Sequence, residues 1–267
     1  MEQILQYSLL MIFLFLTFAA LAAALFGYFV WRKSAPALVV LAYEKAGTPP
    51  KSSRLKNEWL SAAQFEKDLN RLLARGFTPV PLRALQTPQN LPKKPVLLAF
   101  LGGYQSFFTQ IFPLLSAKKV PCALFLAPDC VSTYNRWNDP FQEPWQNVLT
   151  EKELSALAKS GLISFGALAL SSADVTTEPD ENQARYLVQE SLHRLPSQLG
   201  LTPEGFALWP AKNWDEKKAA PYLDGSLNLP IITPRCGVNP KAGAHFLKVL
   251  QPTKHPLATR YTLFKLR

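Results

Sequence analysis

Apolar residues in this chain form one long unbroken run and then a series of short blocks separated by amphipathic stretches. From Tyr7 to Trp31 no residue is charged, and 25 positions are mostly Leu, Phe, Ala, Ile and Val. At about 1.5 Å per residue, a helix of that length crosses a hydrocarbon core of about 30 Å with some tilt. Tyr28 and Trp31, followed by Arg32 and Lys33, have the character of interfacial anchors. The run predicts a single transmembrane helix over residues 7–31, within an anchor segment 1–33. A cleaved signal peptide competes with this reading, because Ala19 to Ala24 imitate a small-residue cleavage site. Against it, Glu2 and no Lys or Arg precede the run, which also continues past those alanines. Ala19, Ala23 and Gly27 recur every fourth residue, as lipid-facing filler or as a small-residue stripe for a membrane-protein partner.

The remainder, residues 34–267, alternates compact apolar blocks with helical patterns. ALVVLAY (37–43), PVLLAF (95–100), CALFLA (122–127) and LISFG (162–166) read as buried strands, with shorter ones at Phe206 to Trp209 and Pro230 to Thr233. Ser61 with Gln64 forms a capping box before an apolar face of Phe65, Leu69, Leu72 and Leu73, which Gly76 ends. A second helix runs from about Tyr104 to Lys118. Thr150 with Glu153 opens a third that ends at Gly161, and a fourth covers Pro179 to Leu199. Strands and helices at this spacing predict an α/β protein built on a parallel sheet or barrel, with its site at the C-terminal ends of the strands.

Composition narrows the classes. The hydrophobic fraction of 48% excludes disorder for most of the chain, and three cysteines, Cys122, Cys130 and Cys236, fit neither a disulfide framework nor a zinc pattern. The net charge is +10, but Gly225 to Arg267 contains no Asp or Glu and supplies +7 of it. Arg235, Lys241, Lys248, Lys254 and Arg260 define this basic segment, a solvated face or a grip on anionic lipid, an acidic polymer or a partner protein. No nucleic-acid motif accompanies the charge.

The strand ends carry a resemblance. PALVVLAYEKAG (36–47), QFEKDLNRLLARGFTPVPL (64–82), VLLAFLGGY (96–104), PLLSAKKVPCALFLA (113–127) and LISFGALALSSADV (162–175) resemble segments of the polysaccharide deacetylases with the NodB homology domain, carbohydrate esterase family 4. That resemblance covers nearly all of the region after the anchor and implies a distorted (β/α)₇ barrel. It also implies a metal-dependent chemistry that removes acetyl groups from N-acetylated sugars. The family's aspartate pair would fall on Leu101 and Gly102, its two metal-binding histidines on Leu168 and Ser172, and the histidine common after its first strand on Glu44.

Leucine and glycine side chains carry no donor, and a hydrolytic metal needs three converging ligands and a base for its water. The sequence therefore implies no metal and no cofactor, and the expected function is that of a pseudoenzyme that binds glycan or scaffolds a cell-envelope or exopolysaccharide assembly. The alternative is a divergent active deacetylase or hydrolase in which Glu44 is a lone base. Tyr104 and the tryptophans Trp137, Trp145, Trp209 and Trp214 sit where a sugar could stack, though they would serve equally as ordinary packing. Arg32 and Lys33 favour a cytoplasmic domain, whereas the resemblance favours a single-pass protein of the cytoplasmic membrane with its large domain on the outer side.

Overall fold

The computed structural model describes residues 11–25, 37–209, 223, 229–240 and 245–265. The chain divides into two compact units, Met1–Pro36 and Ala37–Arg267. In the first, residues 11–25 form helix α1, exposed at every position, Ala19 and Ala23 included. The rest of the predicted 7–31 span, with Gly27, lies outside the described residues. Among those described, no helix is long and apolar enough to cross a membrane.

In chain order the larger unit contains β1 (Ala37–Tyr43), β2 (Lys45–Ala46), β3 (Trp59–Leu60), α2 (Ala62–Ala74), β4 (Thr78–Pro79), β5 (Pro95–Leu101), α3 (Phe112–Ala117), β6 (Cys122–Leu126), α4 (Glu151–Lys159), β7 (Ile163–Leu168), α5 (Glu181–Leu199), β8 (Phe206–Ala207), β9 (Ile231–Cys236), β10 (Asn239–Pro240), β11 (Phe246–Val249) and α6 (Pro256–Lys265). Strands β1, β5, β6, β7, β8, β9 and β11 lie side by side in that order, all parallel. Just past β11, Leu250 N donates to Val40 O at 2.8 Å and accepts at its carbonyl from Ala42 N at 2.9 Å, bringing the last strand back to the first. The result is a nearly closed α/β barrel.

β5 shows why the apolar blocks are continuous. Its alternate residues Leu97, Ala99 and Leu101 join Val40, Phe125, Leu168, Ile232 and Leu247 in one buried cluster, the barrel interior. Val96, Leu98 and Phe100 join Leu69, Leu72, Leu154, Leu157 and Val188 in the other, beneath the helices. Both faces of each strand are covered, so no polar alternation survives.

The helix signals hold with local corrections. Thr150 and Glu153 make both halves of a capping box. Ser61 accepts from Gln64 N at 3.2 Å, but the Gln64 amide turns to the Asp68 carboxylate at 2.8 Å, where a charge-assisted bond outcompetes the reciprocal half. Leu73 is at the edge of the apolar stripe and 36% exposed. The helix expected from Tyr104 starts as a π turn at Phe107–Ile111 and becomes α-helical at Phe112, where Pro113 falls in the first turn.

Candidate functional site

At the C-terminal end of β1 the chain passes from barrel wall into a cluster of charges. Lys45, next to Glu44, has a side chain with no exposed surface. Its Nζ lies 2.7 Å from Glu58 Oε2 and 3.4 Å from Glu143 Oε1. Glu143 is equally sealed, and its two oxygens accept from Trp59 Nε1 at 2.9 Å and from Ser53 Oγ. On the outer side of the cluster, Lys254 Nζ bridges Glu44 Oε1 at 2.8 Å and Glu58 Oε1 at 3.1 Å, 5.2 Å from the centre of the Trp209 ring. Three carboxylates thus face two ammoniums, in a space also bordered by the Tyr104 ring, 5.8 Å from Lys45 Nζ.

The long connection after β6 delivers Glu143. Residues 128–149 fold back on themselves, with Val148 N donating to Thr133 O and Ser132 N to Leu149 O, both at 2.9 Å. The segment is tied to the β5 end by Leu149 N to Gly103 O and to the segment before β3 by Arg54 N to Gln142 O, again at 2.9 Å. Asn135 pins its base, accepting from Gln146 N and donating to the Tyr104 hydroxyl at 3.5 Å.

Burial and neighbouring charge set the protonation of these groups. Burial, then the Glu58 charge, raises the Glu44 carboxyl above the ordinary glutamate value despite the two lysines. Burial also pushes Glu58 upward, but the Lys45 and Lys254 ammoniums outweigh it and hold that carboxyl below the ordinary value. Burial works against the Lys254 charge, yet Glu44 and Glu58 raise its pKa. Burial and the Glu44 charge raise the Tyr104 phenol well above its usual range.

The family model for polysaccharide deacetylases matches residues 88–221, half of the chain. This protein belongs to that family. Its larger unit is similar to IcaB from Ammonifex degensii at 21% identity, with a TM-score of 0.69, 85% of this chain and 97% of that one covered. It is also similar to the de-N-acetylase from Aggregatibacter actinomycetemcomitans at 16% identity, with a TM-score of 0.68 and coverages of 85% and 99%. A third relative by fold is the deacetylase PplD of Streptococcus pyogenes in complex with acetate, at 15% identity and TM-score 0.67, covering 85% and 98%. No curated protein sequence matches the chain.

Set against the deacetylase ligands, the positions inferred from the resemblance offer a metal almost nothing. Leu101 and Leu168 are buried in the barrel interior. Gly102 has φ +100°, and a Cβ there would meet Tyr104 Cε2 at 2.5 Å, so the Tyr104 ring lies where any side chain at 102 would begin. The Ser172 hydroxyl donates to Trp209 O at 3.0 Å. Among the described residues no three His, Cys, Asp or Glu side chains converge to hold a metal ion. The donor set does not fit a hydrolytic zinc-type centre.

The sequence-predicted aromatic residues separate into layers. Trp209 is buried in the interior cluster under Lys254, and Tyr104 is buried edge-to-face with half-buried Trp137, ring centres 5.8 Å apart. Trp145 is 45% exposed and donates its Nε1 to Asn138 O at 2.9 Å; Phe141 and Tyr134 on the same loop are exposed as well. Trp214 and Lys241 lie outside the described residues. Of the basic segment, Arg235 is exposed, Lys248 half-buried and Arg260 on α6, whereas Lys254 turns inward to its two glutamates. Sequence reasoning missed Lys45, Glu58 and Glu143 and gave Trp59 no role. The only local signal was a lysine two positions past a buried strand, directly after Glu44.

Proposed function

We propose that this protein is a membrane-anchored, deacetylase-like protein that has given up metal-dependent hydrolysis. In this reading the barrel binds a glycan, or holds together a cell-envelope or exopolysaccharide assembly, on the outer side of the cytoplasmic membrane. The observation that carries the reading is the occupancy of the donor positions by Leu101, Gly102, Leu168 and Ser172, two of them packed into the barrel interior and one bonded to a backbone carbonyl. The uncharged run 7–31 supports the anchor, and the exposed aromatics of the 128–149 loop support glycan contact.

The test is acetate release from N-acetylglucosamine oligomers by the purified full-length chain, with and without added Zn²⁺ or Co²⁺. No release above the blank is expected; metal-stimulated release overturns the proposal. A reporter fused to the C-terminus should be active only outside the cytoplasm, and activity inside would remove the envelope role. A hydrolytic reading has one observation in its favour, the raised pKa of the Glu44 carboxyl beside the barrel mouth. In that case hydrolysis is present and Glu44→Gln abolishes it.

A further inference from the structure

The ammonium of Lys254 is held as a bound amine would be. Two carboxylate oxygens, Glu44 Oε1 at 2.8 Å and Glu58 Oε1 at 3.1 Å, take its hydrogens, and the Trp209 ring centre lies 5.2 Å away. Carboxylates combined with an aromatic face form an environment selective for an organic cation. We propose that Glu44, Glu58 and Trp209 form a subsite for a primary ammonium, filled within the chain by Lys254, whose external ligand is the free 2-amino group of a de-N-acetylated amino sugar in a glycan. This rests on the glycan-binding reading above and names the sugar chemistry it would prefer.

Two features make the occupant exchangeable. Lys254 sits in the turn between β11 and α6, on a flexible four-carbon stem, and its side chain is 24% exposed, with Glu44 at 14% and Glu58 at 13%. Lys45 and Glu143 behind them are fully sealed and remain as the floor. The charges also leave a vacancy for a cation when Lys254 swings out. Glu44 loses its direct ion partner, and three carboxylates face Lys45 alone. An arriving ammonium restores the arrangement. An acetamido group is neutral and bulkier and offers no charge to either glutamate. The chain carries a net charge of +10, so general attraction would disfavour a cationic sugar, and a preference for one has to come from a local site.

The experiment is calorimetric titration of the detergent-solubilised full-length protein with the tetramer of glucosamine and, separately, the tetramer of N-acetylglucosamine, at pH 6 and 0.15 M salt. The glucosamine tetramer is expected to bind at least tenfold tighter. Lys254→Met, and independently Lys254→Gln, should strengthen glucosamine binding several-fold by removing the internal competitor, while leaving N-acetylglucosamine binding unchanged. Glu44→Gln should erase the preference. Equal binding of the two oligomers overturns the ammonium subsite and leaves the glycan reading standing. A preference that survives Glu44→Gln and ignores both Lys254 variants also overturns it. Binding of neither oligomer removes both. Circular dichroism and thermal melting of each variant show that the fold is kept.

Discussion

The barrel interior and the barrel mouth are built on opposite principles a few ångströms apart along the same strands. At β5 the interior ends in Leu101, surrounded by apolar side chains from neighbouring strands. At the end of β1, one residue past Glu44, Lys45 is just as buried but is held by Glu58 and Glu143. Interior side chains gain by leaving water and need only volume and shape, so they tolerate many neighbours. A sealed ammonium is tolerable only with its partners in place, because an uncompensated buried charge costs far more than a lost methyl contact. The mouth is therefore specific and fragile, whereas the interior is merely dense.

The sharpest way to break this contrast is to unpair the mouth. Lys45→Ala leaves Glu143 sealed without its ion partner, and a loss of about 3–5 kcal/mol in urea denaturation is expected. Adding Glu143→Gln in the same chain should recover part of that loss, and a strictly additive double variant would show that the two residues do not act as a pair. Leu101→Ala, the interior counterpart, should cost about 2–5 kcal/mol through lost burial and the cavity left behind. Its effect should not change with salt; a cost that fell at 1 M NaCl would contradict the apolar reading of that position.

Acid separates the two regions more gently. Glu58 has a folded-state pKa below its unfolded value, so its contribution is fully present above about pH 4.3 and drains away as pH falls through the lower folded value. Glu44, raised in the fold, works the other way, since protonation on acidification relieves its cost. Stability measured from pH 6 to pH 3 should therefore fall less steeply in Glu58→Gln than in the parent chain, and an unchanged slope would mean Glu58 is not held by its lysines. The smallest expected effect belongs to the exposed loop. Trp145→Ala should shift stability by no more than about 0.5 kcal/mol while weakening glycan binding, and an equal loss of stability would make Trp145 a packing residue instead.

Much of the frame could be read along the chain. PVLLAFL and CALFL are continuous apolar blocks because each strand is covered on both faces, and Thr150 with Glu153 forms the cap that its spacing promised. The absence of donors at Leu101, Gly102 and Leu168 is likewise visible as letters. Gln64 shows the limit of such local rules: its amide nitrogen donates to the charged Asp68 carboxylate instead of its oxygen accepting from the Ser61 backbone N–H.

Strand identity, helix caps and the donor-free side chains at Leu101, Gly102 and Leu168 follow from residue type and short spacing, because burial on two faces and an orphan helix N–H are local conditions. Lys254 shows what short spacing leaves open. In the sequence it is one cation in a segment without acids, and in the fold it is clamped between Glu44 and Glu58 over Trp209. Glu143 likewise looks like an ordinary loop acid until Ser53, Trp59 and Lys45 close around it. Ion pairs are chosen by which groups barrel closure brings within about 4 Å in a place without water. That choice depends on segments far apart in the chain.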